Sequence, residues 1–459
     1  MALFRFTPDP SFYPSPKQAI KAPHEDLAYV ACLYEGTGVE RPDFIAVVDT
    51  DPSSESYSKV VGKVELPYVG DELHHFGWNA CSSALCPNGK PNLERRFLIV
   101  PGLRSSRIYV IDTKASPRSP LIVKVVEPEV VKDAGYSRLH TVHCGPDGIY
   151  LSALGSEIGG EPGGVLMLDH YTFDVLGKWE VDRGDQRLSY DFWWNLPEEV
   201  MVTSEWATPQ TMEGGLKLEH LKDRYGNRLH FWDLRKRRKL ASVVLGEENR
   251  MALEIRPFHS PSRLGGFVNL VVSLRDLSSS IWYWFREDGK WRAEKVIEVP
   301  AEPSEGGLPE ILKPFKAVPP LVTDIDLSLD DRYLYLSLWG IGEVRKYNVS
   351  DPFRPRLEGR VRLGGIAHRA RHPNGAELSG GPQMLELSRD GRRVYVTNSL
   401  YSSWDNQFYP EGIRGWMVKL NSDGGLSVDR EFLVDFGQAR SHQVRLRGGD
   451  ASSDSYCFA

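Results

Sequence analysis

Residues 328–348 read SLDDRYLYLSLWGIGEVRKYN, and this stretch contains the pattern that decides the fold. An Asp-Asp turn precedes a strand rich in Tyr and Leu, and a second strand follows and ends at Asn348. Asp and Gly tolerate the left-handed backbone of tight hairpins, so each such turn reverses the chain between two strands. The same turn and strand recur at 144–152 (CGPDGIYLS) and 388–397 (SRDGRRVYVT). Each unit is therefore predicted to be an antiparallel meander.

Seven short β-patterned runs, most of them ending in Asp or Asn, recur along the whole chain. They are 44–49 (FIAVVD), 108–112 (IYVID), 165–169 (VLMLD), 229–233 (LHFWD), 281–285 (IWYWF), 344–348 (VRKYN) and 416–420 (WMVKL). Asp49 and Leu420 are 371 residues apart, which gives six intervals of roughly 62 residues. Since a common propeller blade has about 40–50 residues, this spacing leaves room for insertions.

A single meander cannot bury both of its faces, and a linear stack would expose strand edges, so radial closure is favoured. We predict an all-β fold, a seven-bladed β-propeller that occupies residues 1–459 as one domain. An N-terminal arm is expected at about 1–25, insertion loops at about 302–320 and 364–381, and one short helix at 214–225. Two β-sandwiches are the alternative, but they need a central linker, and no low-complexity segment lies there.

Composition excludes several classes of protein. The chain is 41% hydrophobic and 26% charged, with 42 Gly and 31 Pro, as in a turn-rich globular protein. A formal net charge of -6 argues against a nucleic-acid partner, although 235–239 (RKRRK) is a short basic cluster. No signal peptide or membrane-spanning stretch is visible, so we expect a cytoplasmic protein with no membrane partner. Walker, GxSxG and HExxH motifs are absent, which argues against nucleotide enzymes and hydrolases.

The five cysteines, at 32, 81, 86, 144 and 457, are too few and too irregular for a disulfide framework. Free thiols in a reducing compartment are therefore expected. Cys81 and Cys86 are five residues apart, which matches neither a CxxC redox pair nor a zinc knuckle. Cys81 is retained as a catalytic candidate because it could supply a thiolate, although a buried inert cysteine is the commoner case.

Segment 71–81 (DELHHFGWNAC) concentrates residue types that bind metals or move protons. If this segment is a strand, His74 and His75 point to opposite faces, so at most one of them faces a given pocket. A propeller arranges its innermost strands around one channel, where histidines far apart in sequence can converge. The further candidates all lie where a strand meets a loop: His140, His143, His259 and His442.

Three or four converging imidazoles would suit copper, zinc, iron or nickel. For each candidate the alternative is a strand-end histidine bonded to a backbone carbonyl. The other six histidines are expected to be structural or at the surface: His24, His170, His220, His230, His368 and His372. Glu205 and Asp191 lie among bulky aromatic residues, so each is either a paired structural anchor or an acid–base group.

Thirteen motifs resemble those of a known family, the selenium-binding proteins, whose members include the methanethiol oxidases. The motifs are 71–75 (DELHH), 77–79 (GWN), 81–83 (CSS), 105–110 (SSRIYV), 139–141 (LHT), 190–193 (YDFW), 204–207 (SEWA), 253–256 (LEIR), 380–384 (GGPQM), 399–402 (SLYS), 404–405 (WD), 407–410 (QFYP) and 432–437 (FLVDFG). They cover nearly the whole chain, and long strings of this kind are specific.

The resemblance implies a propeller and a copper-dependent oxidase that converts methanethiol, dioxygen and water into formaldehyde, hydrogen sulfide and hydrogen peroxide. A redox metal is needed because spin-paired thiols react slowly with triplet dioxygen, and imidazole ligands suit copper. The partners would be a small thiol and dioxygen. Carried over by motif, the implied metal ligands are drawn from His74, His75, His140, His143, His259 and His442. For such a reaction we predict that the proton acceptor is Glu205 or Asp71.

The sequence departs from the family pattern at three places. Where some members have a cysteine beside a tyrosine, in a position linked with selenium, this chain has Tyr57-Ser58, so selenium binding there is not expected. Two cysteines of other members are replaced by Ala84 and Ala451, which excludes a dithiol mechanism at those places. Two rival interpretations stay open: a non-catalytic selenium or thiol carrier or protein-interaction platform, and a structural metal that closes the channel.

Overall fold

The computed structural model describes residues 8–459 and confirms the all-β propeller, with seven four-stranded antiparallel sheets as its blades. From the channel outwards, blade 2 consists of Gly77–Trp78, Phe97–Pro101, Ile108–Asp112 and Leu121–Val126, and blade 3 of Tyr136–Cys144, Ile149–Ser156, Gly164–Leu168 and Val175–Lys178. Blade 4 consists of Phe192–Asn195, Val200–Thr203, Arg228–Asp233 and Arg238–Val244, and blade 5 of Asn249–Pro257, Gly265–Ser273, Ser279–Glu287 and Lys290–Val299. Blade 6 consists of Val322–Leu327, Tyr333–Leu338, Glu343–Asn348 and Arg356–Arg362, and blade 7 of Leu385–Leu387, Arg393–Val396, Trp416–Asn421 and Ser427–Asp435.

Blade 1 closes the ring with strands from both ends of the sequence. Its innermost strand is Arg440–Leu446, and the strands that follow outwards are Leu27–Leu33, Phe44–Asp49 and Val60–Glu65. Ala28 pairs with Leu446 and Cys32 with Ser441, in antiparallel register. The two ends of the chain are therefore joined by backbone hydrogen bonds within blade 1, which leaves no exposed strand edge between them.

All seven runs predicted from the sequence are the third strand of a blade, and their bounds agree with the structure within two residues. Third strands are packed between neighbouring blades on both faces, so they form nearly continuous apolar runs; Phe44–Asp49 is buried throughout. Outer strands such as Arg238–Val244 alternate between exposed and half-buried residues. The strong sequence signal thus came from the strands with two covered faces.

The connections between blades contain only short elements. The two predicted insertion loops each include a two-stranded sheet, Glu302–Pro303 with Ala317–Val318 and Ala370–Arg371 with Glu377–Leu378. The described helical segments are Pro16–Ala19, Pro128–Asp133, Pro209–Met212 and Ser402–Phe408, with 3-10 turns at Ser82–Leu85, Leu218–His220 and Glu310–Phe315. Of the predicted N-terminal arm, residues 1–7 lie outside the described part of the chain. Within residues 8–459, no helix has the length and apolar character needed to cross a membrane.

The helix predicted at 214–225 is wrong, because only the 3-10 turn Leu218–His220 forms within that range. Gly215 has a φ of +84°, a left-handed conformation that ends the preceding helical turn and prevents its continuation.

The expectation of free thiols is also wrong for four of the five cysteines. Cys81 is bonded to Cys144 and Cys86 to Cys457, with Cα atoms 6.2 Å and 5.5 Å apart, while Cys32 is a buried free thiol. Spacing along the chain could not show this pairing, because Cys86 and Cys457 are 371 residues apart and ring closure brings them together.

Candidate metal centre

Four of the six candidate histidines lie together, near the end of the channel at which the innermost strands begin: His74, His75, His140 and His442. The ring centroids of His74 and His442 are 3.6 Å apart, and those of His75 and His140 are 3.9 Å apart. All four rings are buried. Blades 1, 2 and 3 thus contribute to one group of imidazoles, here called the histidine cluster.

His74 and His75 both belong to the cluster because they do not lie in a regular strand; the innermost strand of blade 2 begins after them. The Asp43 carboxylate accepts a 2.9 Å hydrogen bond from the backbone N–H just before His74. The Gln443 amide oxygen accepts a 2.5 Å bond from the N–H just after His75. The prediction that the two rings face opposite sides is therefore wrong, because it assumed strand geometry, whereas the rings stack at 22°.

A β-bulge directs His140 into the channel. The register of its strand with the next one shifts across His140 and Thr141, and the Thr141 N–H is bonded to the Ser152 hydroxyl at 2.9 Å. His143, three residues further along the same strand, packs instead against Trp193 with a centroid distance of 4.2 Å. The structure therefore places His140 in the histidine cluster and His143 outside it.

Three ring nitrogens of the cluster are buried without a hydrogen-bond partner among residues 8–459, namely Nε2 of His75, His140 and His442. The Nδ1–H of His442 donates to the Ser399 carbonyl at 2.5 Å, so its Nε2 carries a free lone pair. One ligand atom each from His74, His75 and His442 lies within 4.8 Å of the other two. Because metal–nitrogen bonds are about 2 Å long, small side-chain movements would bring these atoms around one ion.

The imidazoles of the cluster are held in the neutral state that metal binding requires. Burial lowers the pKa of all four rings, and neighbouring imidazoles lower the pKa of His74, His75 and His140 further. Burial lowers the pKa of His442 to about 3, although the bond to the Ser399 carbonyl opposes this shift. Neutral, desolvated nitrogens with free lone pairs are suited to a transition metal.

Further along the channel, one guanidinium lies among four buried carboxylates. Arg256 is 3.4 Å from Asp191, 3.1 Å from Glu254, 3.3 Å from Asp324 and 3.8 Å from Asp326. Burial raises the pKa of Asp324 to about 7 and of Asp326 to about 6, while Arg256 opposes both shifts. Burial and nearby carboxylates also raise the pKa of Glu254 well above its ordinary value. Burial therefore favours the neutral form of these carboxyl groups, and a cation bound nearby would favour their ionised form.

Glu254 connects this acidic group to the histidine cluster. Its Oε1 lies 3.9 Å from His75 Nε2, and both atoms are buried without a hydrogen-bond partner in the part of the chain that the structure describes. Glu254 belongs to the 253–256 motif, but no role was predicted for it from the sequence. The available signal was the period-2 alternation of Glu254 and Arg256 in a strand, which directs both side chains to one face.

Aromatic residues cover the other side of the cluster. Tyr190 packs on His140 with ring centroids 4.1 Å apart, and Trp206 packs on Tyr190 at 5.5 Å. Trp404, in the helix Ser402–Phe408, follows at 5.7 Å from Trp206. All of these rings are buried, so the cover shields the histidine cluster from bulk water.

The opposite end of the channel is closed by the segment that follows the last strand. Asp454 lies between two buried arginines, 2.6 Å from Arg95 and in contact with Arg389. The Ser455 hydroxyl accepts hydrogen bonds from two indole N–H groups of blade 4. The disulfide between Cys86 and Cys457 attaches the same segment to the loop of blade 2.

His259 does not join the histidine cluster. Its Nε2 lies 3.0 Å from the Leu327 carbonyl, and its backbone N–H donates to Asp331 at 2.7 Å. This is the carbonyl-bonded, strand-end role considered as the alternative for every candidate. The six histidines expected to be structural also lie outside the cluster: His24, His170, His220, His230, His368 and His372.

The predicted catalytic residues contact other partners. Asp71 lies 2.9 Å from Arg107 and accepts a 2.5 Å bond from the Tyr109 hydroxyl. The Glu205 carboxylate lies 2.8 Å from His230 Nε2. Cys81 cannot supply a thiolate while it is bonded to Cys144. Both carboxylates are engaged away from the histidine cluster, and their proposed part in proton transfer stays a prediction.

Comparisons with known proteins agree with this architecture. The family model of the 56 kDa selenium-binding protein matches residues 6–457. Proteins named methanethiol oxidase from Xenopus tropicalis and Homo sapiens are 42% and 41% identical, over 96% of this chain and 97% of theirs. Selenium-binding protein 2 of Mus musculus is 42% identical over the same shares of the two chains.

Solved structures give the same result. The X-ray structure of a hypothetical selenium-binding protein from Sulfolobus tokodaii has a TM-score of 0.97 and 77% identity, covering 98% of this chain and 100% of that one. A periplasmic gluconolactonase of Pseudomonas aeruginosa, at 11% identity and a TM-score of 0.56 over 92% and 99% of the two chains, shares the fold alone. The match over nearly the full length establishes that the chain belongs to the 56 kDa selenium-binding protein family.

Proposed function

We propose that this chain is a copper-dependent oxidase of small thiols, with methanethiol as the substrate. The products would be formaldehyde, hydrogen sulfide and hydrogen peroxide, formed from one molecule each of methanethiol, dioxygen and water. The observation that carries the proposal is the histidine cluster: four buried neutral imidazoles, three of them with an unpartnered Nε2. Relatives named methanethiol oxidase at 41–42% identity support the substrate class.

The residues of the cluster fit a copper ion by their chemistry. His74, His75, His140 and His442 would hold it, because an unpartnered buried nitrogen costs about 1–3 kcal/mol and binding a cation removes that cost. Bound copper would supply the one-electron chemistry that a reaction between a thiol and triplet dioxygen needs. A propeller used only as a scaffold has no need of such a set of nitrogens.

The surrounding side chains prepare the site. Ser399 fixes the orientation of the His442 ring and leaves Nε2 facing the cluster, a form of support common around metal-bound histidines. Tyr190 and Trp206 exclude water, which strengthens electrostatic interactions inside the site and limits side reactions. The acidic residues around Arg256 lie on the opposite side, where a bound cation would favour their ionised, negatively charged form.

The rival from another class is a structural metal or a carrier site. The complete burial of all four rings beneath the aromatic cover is the observation in its favour, because catalysis needs an open coordination position. A structural metal would still bind with full stoichiometry. It would leave methanethiol and dioxygen unconsumed.

The test is metal analysis and turnover of three proteins: the wild type, His140→Ala and His143→Ala. His143 is the matched control, since it is a buried histidine of the same strand that packs on Trp193 and lies outside the cluster. We expect one copper per chain in the wild type and in His143→Ala, and loss of copper and thiol consumption in His140→Ala.

Each outcome separates the alternatives. Copper-loaded protein that forms sulfide and peroxide from methanethiol supports the oxidase. Copper binding without product formation would favour the structural metal. A wild-type chain that binds no redox metal after reconstitution would contradict the proposal, as would equal copper loss in both variants.

A further inference from the structure

Glu254 and His75 present two unsatisfied atoms to each other across a short gap. Glu254 Oε1 and His75 Nε2 are 3.9 Å apart, both are buried, and neither has a hydrogen-bond partner among the described residues. This distance is too long for a hydrogen bond, which joins such atoms at about 2.7–3.2 Å. Two ligand atoms bonded to one ion at about 2.0–2.2 Å lie roughly 3 to 4 Å apart, depending on the angle at the metal, so a gap of 3.9 Å has room for an ion bonded to both.

The other groups on Glu254 fix the direction of Oε1. Its Oε2 accepts a 3.1 Å hydrogen bond from Arg256, and its backbone N–H donates to the Asn269 amide oxygen at 2.8 Å. Asn269 is itself held by a 2.6 Å bond to the Val322 carbonyl of the next blade. One carboxylate oxygen is therefore anchored and the other directed at the histidine cluster, an arrangement typical of a supported metal ligand.

The charge balance of the site also favours a carboxylate ligand from this group. A cation surrounded only by neutral imidazoles in a buried site would lack a counter-charge, and isolated buried charges are costly. Asp191, Asp324 and Asp326 surround Arg256, and Asp324 and Asp326 also accept backbone N–H bonds from blade 7. Within the described residues, Glu254 is the member of this group with a carboxylate oxygen that has no hydrogen-bond partner.

We infer that Glu254 is a metal ligand through Oε1, so that the centre combines histidine nitrogen with one carboxylate oxygen. The inference rests on the proposed function in that it requires copper at the histidine cluster. An anionic oxygen donor favours the divalent ion, because soft ligands select Cu(I) whereas nitrogen and oxygen donors suit Cu(II). Glu254 would therefore lower the affinity for Cu(I) relative to Cu(II) and hold the resting centre in the oxidised state.

The experiment compares Glu254→Gln with Asp324→Asn by copper affinity and by the electron paramagnetic resonance spectrum of the Cu(II) protein. Asp324 is the matched control because it is equally buried and lies 3.3 Å from the same Arg256, yet it has no contact with the histidine cluster. We expect Glu254→Gln to weaken Cu(II) binding about 10–100-fold and to change the spectrum. Cu(I) affinity should change less, and Asp324→Asn should keep the wild-type spectrum.

A second measurement does not depend on the folding of any variant. The crystal structure of the copper-loaded wild type should place Glu254 Oε1 about 2.0–2.2 Å from the metal. If the wild-type spectrum persists in Glu254→Gln, or if the carboxylate lies beyond bonding distance, the inference is overturned while the histidine site stands. A wild type that binds no copper would overturn both this inference and the proposed function.

Discussion

Asp454→Asn should weaken the closure of the channel at the end opposite the histidine cluster. Asp454 is fully buried between Arg95 and Arg389, and it also accepts a 2.8 Å bond from the Ser82 N–H. The two arginines lower its pKa to about 2 despite its burial. Relative to an ordinary pKa of about 3.9, this shift corresponds to roughly 2–3 kcal/mol of stability.

Asparagine keeps the shape but leaves two guanidinium groups in the interior without a counter-charge. Removing one partner of a buried ion pair costs about 3–5 kcal/mol. An unfolding entropy of about 2.1 cal/mol/K per residue gives roughly 1 kcal/mol/K for a chain of this length, so the expected fall in Tm is about 3–5 °C. Differential scanning calorimetry at neutral pH measures this change directly.

Asp26→Asn is the matched control. Asp26 also pairs with an arginine, Arg447, at the same N–O distance of 2.6 Å, but both of these side chains are about half exposed. An exposed pair contributes about 0–1 kcal/mol, so the control should change Tm by no more than about 1 °C. If the two variants have equal Tm values, the reasoning from burial is refuted.

The pH dependence of Asp454 has a definite sign. Because its pKa is lower in the folded protein than in the unfolded chain, its stabilising contribution is complete above about pH 4. The contribution is lost as the pH falls through about 2, where the folded protein also binds the proton. The Tm difference between wild type and Asp454→Asn should therefore narrow below pH 4 and stay constant between pH 5 and 8; a difference that grows on acidification would contradict the assignment.

Three further predictions concern thiols, packing and the predicted acid–base group. In a titration of the denatured protein with a thiol reagent, we expect one reactive thiol, that of Cys32, before reduction and five after reduction. Three or more reactive thiols before reduction would contradict the disulfide assignment. Gly77→Ala places a Cβ 2.5 Å from a carbonyl oxygen of blade 3, so it should lower the free energy of unfolding by about 1–3 kcal/mol and reduce the copper content. Gly214→Ala is the control, because its Cβ would lie in open space, and it should change neither Tm nor copper content. Glu205→Gln replaces the charged acceptor of the bond to His230 with a neutral amide oxygen, so it should lower stability by about 1 kcal/mol and retain full copper. Loss of turnover at normal copper content would instead assign Glu205 a catalytic role.

The fold was predictable because its strongest pattern repeats. Third strands such as Phe44–Asp49 and Ile108–Asp112 are covered on both faces, so their apolar runs are visible without knowledge of tertiary structure. The innermost strand of blade 2 was not visible. Gly77–Trp78 has two residues, and the segment before it is organised by the side chains of Asp43 and Gln443, which are distant in sequence.

The histidine cluster was predictable in part. Convergence of strand-end histidines correctly included His140 and His442, but the same argument included His143 and His259. A β-bulge brings His140 into the cluster, and the position of His259 beyond the end of its strand keeps it outside the cluster. Neither feature can be derived from residue spacing. Glu254 was missed because a carboxylate beside an arginine resembles an ordinary ion pair until the partner of each oxygen is known.

Closure of blade 1 by Arg440–Leu446 has a consequence for the order of events during synthesis. His442 lies on this strand, and it is the last of the four clustered histidines to leave the ribosome. Until that strand pairs with Leu27–Leu33, the nascent chain holds His74, His75 and His140 without their fourth companion. The imidazole set is therefore completed by the same event that closes the ring, so a partly synthesised or truncated chain cannot present the whole set to an ion.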